Sequence, residues 1–127
     1  MAGFEPPYVL AVDVGSSAVK AGLFDSQARS VEDTEVSVAH KQRVASDGTS
    51  EEAAGQILRA TENAMDLVLE KAGRLAGEIV GVGFDCMAST VLGVDAEGTP
   101  VTPVYTYADT RSAYDVERLK EELNVPI

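Results

Sequence analysis

Tyr8-Val-Leu-Ala-Val-Asp13-Val14 is a short, almost unbroken apolar run. Such a run predicts a strand buried on both faces. Gly15-Ser16-Ser17 then breaks the pattern with residues suited to a tight turn. Ala18 to Phe24 predicts a second strand, and Asp25 to Arg29 a polar turn. Between Ser30 and His40, Val31, Val36 and Val38 stand among polar residues and predict a third, half-exposed strand. Three strands joined by short turns make an antiparallel meander.

The period changes after a polar loop at Ala45 to Ser50. Thr49 and Glu52 have capping-box spacing, which predicts a helix start there. Ala54, Ile57, Leu58, Ala64, Met65, Val68, Ala72 and Leu75 follow near the spacing of one helical face. Gly77 marks the expected exit. Ile79 to Phe84 predicts another apolar strand, reached by a parallel crossover. Thr90 to Val94, a turn at Asp95 to Gly98, and Val101 to Tyr107 predict a hairpin. Pro100 and Pro103 place its second arm at a sheet edge. Ser112 and Asp115 repeat the cap spacing before a second helix carrying Val116, Leu119 and Leu123 on one side. Asn124-Val-Pro-Ile127 closes the chain abruptly. The pattern shows no repeat and no interdomain linker. It describes an α/β layer fold with a mixed sheet.

Composition narrows the chemistry. The 127 residues suit one domain, and a chain of that size buries roughly two-thirds of its unfolded surface. With 6% aromatics and no Trp, its core is built mainly from Ala, Val and Leu. A net charge of −11 argues against non-specific binding to nucleic acid or anionic lipid. A local anion site made of backbone N–H groups needs no positive balance and stays open. Cys86 is alone, which excludes a disulfide framework and fits a reducing cytosol. His40 is the sole histidine, so one chain cannot assemble a histidine-based zinc site. The first seven residues lack the pattern of a signal peptide, and no run approaches the ~18 apolar residues that span a bilayer. A soluble cytoplasmic protein is expected.

Three segments carry candidate chemistry. Asp13-Val-Gly15-Ser16-Ser17 puts Gly and two hydroxyls at a hairpin tip, a concavity able to hold phosphate oxygens. Asp13 ends an apolar strand and is suited to Mg²⁺, directly or through water, while Lys20 can neutralise developing charge. Gly and Ser are equally ordinary turn residues. Neither a Walker nor a Rossmann glycine pattern occurs. The second segment, Gly81 to Thr90, sets Asp85 at the carboxyl end of a strand, where open α/β sheets place ligands. Cys86 and Met87 beside it also read as a small buried hydrophobe and a gap-filler. In the third, Tyr105 to Ser112, Asp109 and Arg111 can grip hydroxyls and Tyr107 can pack on a sugar face. Helix capping accounts for the same residue types.

In this order the segments resemble the N-terminal part of the FGGY carbohydrate kinases, sugar and polyol kinases on the actin-like ATPase fold. Asp13-Val-Gly-Ser-Ser-Ala-Val-Lys-Ala-Gly-Leu-Phe-Asp25 resembles their first phosphate motif. Val82-Gly-Phe-Asp85 with Ser89 to Pro100 resembles their strand-and-hairpin sugar segment. Tyr105 to Ser112 is similar to their W-x-D-x-R stretch, with Tyr107 at the Trp position. The form leans toward gluconate and xylulose kinases.

The resemblance implies an incomplete ribonuclease H-like layer fold whose mixed sheet is a meander followed by a β-α-β crossover. It implies ATP and Mg²⁺ as cofactors, with the phosphates on Asp13, Gly15, Ser16, Ser17 and Lys20. Asp85, Cys86, Met87 and Ala88 occupy the stretch that presents other residues to the sugar in relatives. Asp109 and Arg111 would lie near the sugar, and Tyr107 would replace a stacking Trp. The catalytic Asp is expected beyond Ile127, as are the second phosphate motif and the adenosine site. The chain is therefore expected to be an inactive N-terminal fragment, prone to self-association through surface left bare. A different actin-like ATPase, or a non-catalytic sugar- or nucleotide-binding module, are the alternatives.

Overall fold

The computed structural model describes residues 3–123. Met1, Ala2 and the predicted abrupt close at Asn124 to Ile127 lie outside them. Strands β1 (Tyr8–Val14), β2 (Ala18–Phe24), β3 (Val36–Ala39), β4 (Arg43–Val44) and β5 (Ser50–Glu52) precede helix α1 (Ala54–Ala72). Strands β6 (Ile79–Cys86) and β7 (Val104–Tyr105) and helix α2 (Ala113–Leu123) follow. The chain divides into two compact units, Met1–Lys41 with Ala53–Ala88, and Gln42–Glu52 with Ser89–Ile127. No Gly- or Pro-rich linker marks the passages between them.

The first unit holds a four-stranded sheet in the order β3-β2-β1-β6. β1 and β2 are antiparallel, β2 and β3 are antiparallel, and β6 runs parallel to β1. This is the predicted meander and crossover. Tyr8, Leu10 and Val12 of β1 join Val19, Ala21 and Leu23 of β2 beneath Ala60, Ala64, Val68 and Ala72 of α1. Within the unit, β1 is buried on that face only. Val9 and Asp13, on the alternate face, are exposed, because α1 covers one side of the sheet.

Local details depart from the pattern. The third strand shortens to Val36–Ala39. Val31 reaches the core from a loop instead, its N–H donating to the Leu23 carbonyl at 2.8 Å. The Thr34 hydroxyl accepts the Leu23 N–H (3.1 Å) and donates to the Val31 carbonyl (2.7 Å), standing in for a strand partner. Helix α1 starts at Ala54, not at Thr49. Thr49 instead donates to Asp47 at 2.6 Å, and β5 is taken up by pairing with β4 and β7. Long-range pairing overrides the cap signal here. Leu58 is exposed and Ala60 takes a core position. The α-helix ends at Gly73, whose φ of +54° suits glycine, and the chain continues as a 3₁₀ turn, Gly73–Glu78, that includes Gly77.

The second unit holds a short sheet in the order β4-β5-β7. The predicted hairpin is reduced to single bridges, Val91 with Tyr105 and Val94 with Pro100. Pro100 and Pro103 lack the N–H groups a continuous ladder needs. Its turn forms as expected, with the Asp95 carboxylate accepting from the N–H groups of Glu97 (3.1 Å) and Thr99 (2.7 Å). Helix α2 begins directly after Ser112. Val116, Leu119 and Leu123 stay exposed, so that predicted apolar side is not buried. No helix among the described residues is long and apolar enough to cross a membrane.

Candidate functional site

In the first unit, register builds a polar row across the sheet. Asp13 of β1 lies opposite Lys20 of β2, Lys20 opposite Ser37 of β3, and Asp13 beside Asp85 of β6. Side chains alternate along strands, so Ser37, Lys20, Asp13 and Asp85 share the face away from α1. β6 extends two residues past the predicted Phe84, and that extension brings Asp85 into register. A groove of about 820 Å³ follows this face, with Asp13, Lys20, Gly22, Glu35, Ser37 and Asp85 in its lining. Among the described residues, no ion pair engages Asp13, Lys20 or Asp85.

The Gly15-Ser16-Ser17 turn stands at the end of this row. Gly15 N–H donates to the Ala18 carbonyl at 3.1 Å. A Cβ on Gly15 would meet that same oxygen at 2.9 Å, so the turn excludes a side chain there. Ser16 and Ser17 are exposed. Cys86 pairs with Val14 rather than Asp13, so it projects from the opposite face to Asp85. It is exposed, not the buried hydrophobe its type suggests, because β6 forms an edge of the described sheet. Met87 and Ala88 follow the strand.

The second unit gathers Tyr107, Asp109 and Arg111 around a groove of about 640 Å³, with Ser89, Thr106 and Asp115 also in its lining. Tyr107 is 68% exposed. Arg111 donates from Nη2 to Asp109 (2.6 Å) and to Glu51 (2.5 Å), and from Nε to Asp109 (3.0 Å). Its guanidinium lies 5.5 Å from the centre of the Tyr105 ring. Arg43 donates to the other Glu51 oxygen at 2.7 Å. Asp109 also accepts the Ser50 N–H at 3.0 Å. Gly48 sustains this corner: its φ is +93°, its carbonyl accepts the Thr110 N–H, and a Cβ there would collide with the Thr110 hydroxyl.

Asp109 and Arg111 are thus held by one another, yet Arg111 Nη1 makes no hydrogen bond to a described residue. Nη1 carries two N–H donors, and Arg111 is one of the residues that line the groove. Sequence reasoning found Tyr107, Asp109 and Arg111 but missed Glu51 and Arg43. Glu51 lies sixty positions from Arg111 in the chain, and no local spacing links them.

The Arg111 guanidinium holds the Asp109 carboxyl well below its ordinary 3.8, aided by the Ser50 N–H and opposed by burial. Arg111 is pushed up, first by Asp109 and then by Glu51. Glu51 is lowered from 4.5 by Arg111 and then by Arg43. Lowered carboxylates contribute stability that is complete above their unfolded values and lost as pH falls through the folded ones. The second unit should therefore keep its stability between about pH 5 and 8 and lose it progressively below about pH 4. Urea unfolding monitored at Tyr105 and Tyr107 by NMR checks this. Asp109→Asn should flatten that acid dependence, and an unchanged slope in the variant would contradict the assignment.

The meander, parallel crossover and covering helix of the first unit are those of the actin-like ATPase fold. The structure aligns with a "xyloylose kinase" from Brucella ovis at a TM-score of 0.84, with 24% identity, over 92% of this chain and 24% of that one. It also aligns with an ADP-bound glycerol kinase of Plasmodium falciparum at 0.74, with 21% identity, over 91% and 23%. Residues 8–126 match the N-terminal domain of the FGGY family of carbohydrate kinases, and the chain belongs to that family. It is 27% identical over 122 residues to the gluconokinase of Bacillus subtilis (strain 168), covering 92% of this chain and 22% of that one. It is 28% identical over 120 residues to the xylulose kinase of Staphylococcus xylosus, covering 93% and 24%. The chain spans about a quarter of the length of the curated relatives it matches.

Proposed function

We propose that this chain supplies the phosphate-facing hairpin and part of the sugar-facing surface of an ATP-dependent carbohydrate kinase. The observation that carries the proposal is the row Ser37, Lys20, Asp13 and Asp85 beside the Gly15-Ser16-Ser17 turn. Two neighbouring carboxylates and one ammonium carry net negative charge, which by itself repels phosphate. A divalent cation reverses that balance. Asp13 and Asp85 fit Mg²⁺, which keeps several waters and takes one or two carboxylates besides phosphate oxygens. When bound, the ion neutralises phosphate charge. Lys20 adds a mobile positive charge, and the turn presents backbone N–H groups to the oxygens.

In the second unit, Arg111 Nη1 and the Tyr107 ring are the groups offered to a sugar, sugar acid or polyol. Asp109 and Glu51 fix the Arg111 plane, so the donors are held in place before substrate arrives. No residue here is assigned the acceptance of the hydroxyl proton. On this reading the 127 residues alone transfer no phosphate. A cytoplasmic setting and self-association through exposed Val80, Val82 and Phe84 accompany the reading.

A panel of ketoses, polyols and aldonates tests the proposal by amide chemical shifts and by coupled turnover. The expected result is a shift at Tyr107, Asp109 and Arg111 with one sugar class, and no turnover. Turnover by the chain alone would contradict the fragment reading. ATP hydrolysis indifferent to every sugar would favour another actin-like activity.

A further inference from the structure

We propose that His40 is a positioning residue for the phosphate turn, holding one of its peptide planes so that an N–H group faces the anion. The inference rests on the phosphate reading of Gly15-Ser16-Ser17 given above. His40 follows β3 and reaches the turn twice. Its backbone N–H donates to the Ser17 carbonyl at 3.0 Å, and its Nε2 lies 2.9 Å from the Gly15 carbonyl.

A turn takes an anion only when its N–H groups converge and its carbonyl oxygens, which repel the anion, point elsewhere. The C=O of one residue and the N–H of the next belong to one rigid plane and point in opposite directions. Anchoring the Gly15 carbonyl on the imidazole therefore directs the Ser16 N–H away from His40. Anchoring the Ser17 carbonyl does the same for the Ala18 N–H. The first anchor depends on the His40 side chain, and the second only on its backbone.

A carbonyl oxygen accepts and never donates, so Nε2 must carry the proton. The ring is either the Nε2–H tautomer or the imidazolium, never the Nδ1–H tautomer. His40 is the only histidine in the chain, so its ring nitrogens are read without ambiguity.

The test compares wild type, His40→Ala and His40→Gln, with MgATP and inorganic triphosphate as probes. Gln carries an amide N–H donor on a chain long enough to restore the bond. In wild type, ¹⁵N ring shifts should show a protonated Nε2. The ¹³C′ shift of the Gly15 carbonyl should move in His40→Ala, while that of the Ser17 carbonyl, whose anchor is backbone, should not. Loss of one hydrogen bond's worth of ordering should weaken both probes about five- to tenfold in His40→Ala. His40→Gln should recover most of that.

An Nδ1–H ring, an unchanged Gly15 carbonyl shift in His40→Ala, or equal probe affinity in all three proteins would overturn the inference. The last result, with wild type still binding, would leave the phosphate reading standing. If wild type binds neither probe, the phosphate reading fails and the positioning role falls with it.

Discussion

Leu10→Ala should lower the unfolding free energy of the first unit by about 3–5 kcal/mol, the range of fully buried Leu truncations that leave a cavity. Leu10 is 2% exposed and sits mid-way along β1, the strand flanked by β2 and β6. Its side chain points into the cluster with Val12, Leu23 and α1, so collapse around the gap would have to move three strands or the helix. Leu58→Ala on α1 is the matched control. Leu58 is 58% exposed, and its truncation should change stability by no more than about 0.5 kcal/mol. Urea unfolding of both variants decides the matter. Equal losses would mean that α1 packs on a different face from the one described.

Asp13→Asn should weaken Mg²⁺-dependent ATP binding about 10- to 100-fold, the usual cost of losing a group that holds a metal's shell. The same variant should bind ATP no more weakly than wild type when Mg²⁺ is removed by chelation, because a carboxylate helps phosphate only through a cation. That reversal separates an ion-holding role from a merely structural one. Asp13 is exposed and engages no described ion-pair partner, so the fold should survive the change. Calorimetric titration with and without Mg²⁺ reads both limbs. An equal loss in the two conditions would mean that Asp13 shapes the turn rather than serving a cation.

The fold of the first unit was legible because its signals are local and agree. β1 and β2 match the predicted spans residue for residue, and the crossover follows from an apolar strand placed after a long amphipathic helix. What the sequence concealed was set by distant partners. Thr49 and Glu52 look like a helix start, but Glu51 and Glu52 of β5 pair with Tyr105 and Val104 of β7, more than fifty positions away. Val31 looks like a strand residue, but the Thr34 hydroxyl ends the ladder before it.

The polar row shows the same division. Asp13 and Lys20 are marked by a hairpin whose register can be counted from its turn. Asp85 joins them only through a parallel register that no local pattern specifies. In the second unit, Asp109 and Arg111 stood out as residue types, but the Glu51 and Arg43 that hold Arg111 in its plane did not. In the sequence His40 is marked by nothing but being the sole histidine. Its contact with the Gly15 carbonyl depends on β3 pairing with β2, which returns residue 40 to the hairpin tip.

The most direct test of the central claim is a titration of the ¹⁵N-labelled chain with ATP, first with Mg²⁺ and then with a chelator. The account predicts that amides of Gly15, Ser16, Ser17, Lys20 and Asp85 shift together with a single affinity, and that chelation abolishes most of the effect. Shifts absent from these five amides, or unchanged when Mg²⁺ is withdrawn, would contradict it.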